Sequence, residues 1–187
     1  MGAPKALLHA EGSTFLDRVI DALREGGCAP VIAVVADLDG PVAERARAAG
    51  ARVEVNAQPA EGPITSLRVA LRTLSDDVDA CAFLPVDHPL VEAATVARLI
   101  ASLEASEAPI VVPSYGGERG HPVLFRRSVF PELFEDDLAE GARTVVHRHM
   151  PDLLEVEVSD AGVLADIDTR GDYRRHFEET TPAHDRS

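Results

Sequence analysis

The sequence predicts an α/β domain built on a doubly wound, mostly parallel sheet. Three observations carry this: short unbroken apolar runs, Ala-rich amphipathic stretches between them, and a core drawn from Ala, Val, Leu and Ile. Of the 187 residues 45% are apolar, only 4% are aromatic, and none is Trp. Strands buried on both faces read as continuous apolar runs, as parallel sheets covered by helices require. The length suggests one domain with a sizeable core, spanning 1–177 and followed by a polar, disordered tail at 178–187.

The elements follow in order. Ser13 or Thr14 caps a helix to about Glu25, with Phe15, Val19, Ile20 and Leu23 on one face, and Gly26-Gly27 ends it. Val31–Ala36 is a strand. Pro41 opens a helix that Gly50 closes, and Arg52–Val55 is a second strand. A Gly- and Pro-containing loop leads to a helix over Ile64–Leu74, then a strand at Cys81–Val86 and a helix from Glu92 to about Ser106. A strand at Pro109–Pro113 follows. Strand, helix, strand at this spacing implies right-handed crossovers and parallel pairing. Tyr115-Gly116-Gly117 breaks the rhythm as a hairpin turn, so Pro122–Phe125 forms a local antiparallel excursion. Gly141–Met150 is helical, Leu153–Val158 a strand and Gly171–Phe177 a last helix.

A net charge of -14, from 32 acidic and 18 basic residues, repels phosphate backbones and argues against a nucleic-acid partner. No apolar run reaches the roughly 20 residues that span a bilayer, and the start does not read as a signal peptide. Cys28 and Cys81, far apart in sequence, read as reduced core thiols of a cytoplasmic protein.

Four clusters at strand ends carry candidate chemistry. In Phe83-Leu84-Pro85-Val86-Asp87-His88-Pro89, a lone carboxylate just past a buried strand is placed to hold a divalent metal on a nucleotide phosphate; it is also placed to cap the helix at Glu92. Lys5, between Pro4 and small residues, can reach a phosphate as a point charge, or simply be solvated. Asn56 can present a donor and an acceptor to a base edge, and Gly62 and Ser66 open a helix with free N–H groups; the same residues make an ordinary capped loop. Gly117-Glu118-Arg119-Gly120-His121-Pro122 is a hairpin with polar groups held beside it. Asp166 and Asp168, two apart on an extended segment, point the same way toward a metal, while Asp168-Thr169 also suits a helix cap. Two acidic strand-end sites together fit Mg²⁺ on a triphosphate.

Met-Gly-x-Pro-Lys-Ala-Leu-Leu, the Asn…Gly…Ser segment, Pro-Val-Asp-His-Pro-Leu-Val, Gly-His-Pro and Asp-Ile-Asp-Thr appear in this order from Met1 to about Phe177. The series resembles the MobA-like nucleotidyltransferases, and within them the molybdenum cofactor cytidylyltransferase branch. The resemblance implies a Rossmann-like fold that transfers CMP or GMP from CTP or GTP to a phosphorylated acceptor such as molybdopterin, releasing pyrophosphate and serving a molybdoenzyme client. It implies Lys5 and Asp87 as catalytic, with Lys5, Asn56, Gly62 and Ser66 on the nucleotide. Arg119, Gly120, His121 and Pro122 would face the acceptor, and Asp87, Asp168 and Asp166 would hold Mg²⁺.

Members of that family begin with a strand running into a Gly-rich phosphate loop, and this sequence starts at the Met-Gly that ends the loop. The resemblance therefore implies a sheet without its first, central strand, an apolar slot with unpaired edges in its place, and weak activity. The alternative is a non-catalytic relative that binds a nucleotide or cofactor during molybdoenzyme maturation.

Overall fold

The computed structural model describes residues 4–10 and 12–177. The expected tail at 178–187 and the Met1-Gly2 pair lie outside the described residues. After a 3-10 turn at Lys5–Leu7, β1 (His9–Ala10) and β2 (Ser13–Thr14) form a short hairpin not foreseen from the sequence. Thr14 then caps α1 (Phe15–Glu25). Its hydroxyl accepts from the Asp17 N–H while the Asp17 carboxylate accepts from the Thr14 N–H, so two orphan donors are satisfied reciprocally. Next come β3 (Ile32–Val35), α2 (Pro41–Ala48) and β4 (Arg52–Val55), with β3 and β4 parallel from Ile32 opposite Arg52 to Val35 opposite Val55.

The second half supplies α3 (Pro63–Arg72), β5 (Ala80–Phe83), α4 (Ala93–Glu104), β6 (Ile110–Tyr115), β7 (Glu118–Arg119) and β8 (Val123–Arg126). It ends with α5 (Phe130–Leu133), α6 (Ala142–Arg148), β9 (Leu154–Glu157) and α7 (Arg170–Phe177). β5, β6 and β9 share one direction, because β5 and β6 are each antiparallel to β8 and β9 is parallel to β6. The antiparallel strand is thus no peripheral excursion. β8 sits in the sheet between β5 and β6.

Side chains alternate across this sheet. Ile110, Val112, Val123 and Phe125 pack one face against Leu67 and Leu71 of α3 and Leu133 of α5. Val111, Leu124 and Val156 pack the other against Leu99 and Leu103 of α4. Helices therefore cover both faces, as the doubly wound reading requires.

The strand layer is divided. Among the described residues, β3 pairs only with β4, and β5 only with β8. Between their open edges runs a cavity of 740 Å³, bordered by every residue of Ile32–Val35 and of Ala80–Phe83. Successive residues of a strand point to opposite faces, so a cavity that meets all of them meets the strands edge-on. Leu16, Val19 and Ile20 of α1 close it on one side and Leu67 and Ala70 of α3 on the other. The void is about five times the ~150 Å³ that a large-to-small core substitution leaves. Cys28 and Cys81, distant in sequence, both border it. Burial pushes their thiols up to about 11 and about 12, so both are protonated at neutral pH.

Candidate active site

Three segments converge at one end of the layer, and backbone contacts lock them together. β5 ends at Phe83, earlier than the apolar pattern suggested, so Asp87 lies in a turn in which the His88 N–H donates to the Pro85 carbonyl at 3.2 Å. The Asp87 carbonyl accepts from the Ile167 N–H at 2.9 Å, which ties that turn to the 161–168 segment. The Val163 carbonyl of the same segment accepts from the His121 N–H at 2.9 Å. A Cβ on Gly120 would stand 2.2 Å from the Val163 carbonyl oxygen, and one on Gly162 2.2 Å from that of Leu90. Both contacts need glycine, since a carbonyl in a packed segment has little room to retreat.

Helix capping is assigned by the same geometry. Asp160, buried, accepts from the Glu92 N–H at 2.9 Å and the Thr95 hydroxyl at 2.7 Å, and so caps α4 from 68 residues away. Asp87 is not used as that cap. At α7, Thr169 and Asp172 bond reciprocally, which leaves Asp168 out of the cap as well.

The freed carboxylates gather around one cation. Lys5 Nζ is ion-paired with Asp168 and lies 3.6 Å from Asp87 Oδ2. Burial pulls the Lys5 ammonium down, but its contacts with Asp168 and Asp87 outweigh this and raise it above the ordinary lysine value. Lys5 holds the Asp168 carboxyl below the usual carboxylate range. The neighbouring Asp166 moves the opposite way: burial first, then the charges of Asp87 and Asp168, push it up. Asp87, His88 and Asp166 each offer an atom within 4.8 Å of the others, a donor set compatible with a divalent cation.

His88 packs on His121 with ring centroids 4.6 Å apart. Burial, followed by the His88 charge, drives His121 down to about 4, so it is neutral at pH 7. His121 also borders a second cavity, of 1040 Å³, together with Gly62, Phe83, Arg119, Gly120 and Glu155. Arg119 is engaged there by Glu155, with Nε 2.6 Å from Oε2. Asn56 is buried at the end of β4, and both ends of its amide are spent locally. Nδ2 donates to the Thr65 and Ser66 hydroxyls at 2.8 and 3.0 Å, and Oδ1 accepts from the Gln58 N–H at 2.9 Å. Gly62, with φ +95°, supplies the left-handed turn that starts α3.

The MobA-like NTP transferase domain family matches residues 1–153. The chain belongs to the MobA-like NTP transferase family. Among solved structures it is similar to Rv0371c of Mycobacterium tuberculosis H37Rv, at 34% identity and TM-score 0.77 over 95% of this chain and 90% of that one. A manganese complex of Rv0371c matches at 33% identity and TM-score 0.76, over 95% and 93% of the two chains. A curated relative, nicotine blue oxidoreductase of Paenarthrobacter nicotinovorans, is 25% identical over 89% of this chain and 84% of its own length. The molybdopterin-guanine dinucleotide biosynthesis protein A of Archaeoglobus fulgidus shares the fold, at 17% identity and TM-score 0.66 over 95% and 91%.

Within this MobA-like frame, Lys5, Asp87, Asp166 and Asp168 come together, while Arg119, Gly120 and His121 border the adjoining 1040 Å³ cavity. Pro122 is buried beside His121. Asn56 bonds to Thr65, Ser66 and Gln58 and organises the β4–α3 loop, the second of the two roles its sequence context allows. Sequence reasoning passed over two residues: His88, whose only signal was adjacency to Asp87, and Asp160, which carried none.

Proposed function

We propose that this protein transfers a nucleotidyl group, CMP or GMP, from CTP or GTP to a phosphorylated small molecule of the molybdopterin type, releasing pyrophosphate, in the cytoplasm and in the service of a molybdoenzyme. The observation that carries the reading is the convergence of Lys5 with three carboxylates beside a cavity bordered by Arg119 and His121. Such transfer asks little covalent chemistry of the protein. An acceptor phosphate oxygen attacks the α-phosphorus in line, a P–O bond to it forms, and the bond to pyrophosphate breaks. The chain's part is to hold the two phosphates in register and to neutralise the developing charge. Asp87 and Asp166, with Asp168 beside them, are the residues to hold Mg²⁺ or a similar dication, which when bound polarises phosphate oxygens. Lys5 exchanges its contact with Asp168 for the triphosphate as substrate enters. Asn56 and Ser66 set the loop, and Gly62 lets backbone approach the nucleoside. Arg119, Gly120, His121 and Pro122 face the acceptor.

Pyrophosphate release from each NTP, with molybdopterin as acceptor, tests the reading. Lys5→Ala should lower the rate at least about 100-fold with the fold intact; an unchanged rate would remove Lys5 from the chemistry. A second reading is favoured by the open slot between β3 and β5, whose far end includes Asp87: a non-catalytic nucleotide- or cofactor-binding relative active in molybdoenzyme maturation. NTP-dependent thermal stabilisation without any pyrophosphate would select it. Redox turnover of nicotine blue by the same protein would instead align the chain with the oxidoreductase named among its relatives.

A further inference from the structure

An imidazole stands among the carboxylates of the candidate metal site. A ring nitrogen of His88 lies within 4.8 Å of carboxylate oxygens of both Asp87 and Asp166. Ligands on opposite sides of an ion bonded at about 2.1 Å stand about 4.2 Å apart, so small side-chain movements would close this group on one ion. Lys5 engages Asp168 and, at 3.6 Å, also Asp87.

A second observation is independent of that spacing. His88 is 8% exposed, and its Nδ1 is buried without a hydrogen-bond partner among the described residues. Buried polar atoms are nearly always satisfied, and an exception needs a reason. The neighbouring His121 does not relieve it, since its own Nδ1 is likewise without a partner. The two rings are tilted at 54° with centroids 4.6 Å apart, a packing contact that holds the His88 ring in place. A histidine held by its neighbours beside two carboxylates can offer a ring nitrogen to an ion that they share.

We propose that His88 is a nitrogen ligand of the cation held by Asp87 and Asp166, making this an N/O site that prefers a first-row transition dication to Mg²⁺. The proposal rests on the metal reading given above and narrows it. Mg²⁺ is held through oxygens and waters in near-ideal octahedral geometry, whereas imidazole ligation suits later and softer ions. With one histidine and two carboxylates, the order of affinity should rise from Mg²⁺ through Mn²⁺ to Co²⁺ and Zn²⁺.

Mn²⁺ binding to the full chain, followed by electron paramagnetic resonance with Mg²⁺ as competitor, tests this. Pulsed spectra of the bound ion should show coupling to a ¹⁴N nucleus. His88→Gln should abolish that coupling and weaken Mn²⁺ at least about tenfold, while shifting Mg²⁺ affinity less than about twofold. The nitrogen coupling is read in the unmutated protein, so it stands even where His88→Gln folds poorly. Bound Mn²⁺ without nitrogen coupling would overturn the proposal and leave the carboxylate site intact. Coupling that persists in His88→Gln would assign the nitrogen elsewhere and also overturn it. Failure of Mn²⁺ and Mg²⁺ alike to bind, or binding indifferent to Asp87→Asn, would overturn the metal reading itself.

Discussion

Asp17 shows how one side chain can serve two elements. It completes the capping box of α1 with Thr14 and accepts a forked pair of bonds from Arg45 of α2, at 2.7 and 2.8 Å. Burial pulls its carboxyl up, but Arg45 and Thr14 outweigh that and hold it below the ordinary value. A carboxylate depressed by folding contributes stability above its unfolded value, about 3.9, and loses it as pH falls through the lower folded value. Asp17→Asn should therefore cost about 1–2 kcal/mol at pH 7 and progressively less below pH 4. Denaturant titrations across pH would show the two curves converging in acid; parallel curves would count against the ion pair.

Among elements, the consequential bond is the cap that Asp160 provides for α4. Three donors meet its carboxylate: the Glu92 N–H, the Thr95 hydroxyl and the Gly162 N–H. Removing it leaves these groups buried and unpaired, and it loosens the 161–168 segment from which Asp166 projects. Asp160→Ala should cost about 3 kcal/mol and also weaken metal binding, although Asp160 touches no ion. Thermal unfolding with and without Mn²⁺ measures both effects. A loss of stability with unchanged metal-dependent stabilisation would show that the cap and the site are independent. Local pattern made much of this level legible. Thr14 was one of two residues read as the cap, and Arg52–Val55 emerged with the boundaries read from the sequence. The Asp160 cap was not legible, because nothing near residue 160 indicates a helix whose capped N–H lies 68 positions earlier.

At the scale of the whole molecule the divided strand layer dominates. The inward edges of β3 and β5 border a 740 Å³ cavity, whereas β6 and β8 are laddered within the sheet. Protection from hydrogen exchange should follow that division. Amides of Ile32–Val35 and Ala80–Phe83 that are not bonded to β4 or β8 should exchange about 100-fold faster, or more, than those of Val111–Ser114 and Val123–Phe125. Equal protection would mean that the edges are covered in solution. The low thiol acidity of Cys28 and Cys81 gives a second probe, since both border the cavity and should react slowly with disulfide reagents at pH 7.

The alternation of strand and helix, the doubly wound class and the candidates Lys5, Asp87, Asp166 and Asp168 could be read from the chain, because hydrophobic period, caps and turn residues act over a few positions; His88 and Asp160 could not. Tertiary structure decided what those residues do together. It inserted β8 between β5 and β6, spent the Asn56 amide on its own loop, gave the cap of α4 to Asp160 and left Asp87 unengaged by it. It also brought Lys5 to Asp168 across 163 residues, and His88 beside Asp166. The physical reason is common to all of these. Each depends on which strand edges and loops meet in space, and local sequence pattern carries the period of an element but not its neighbour.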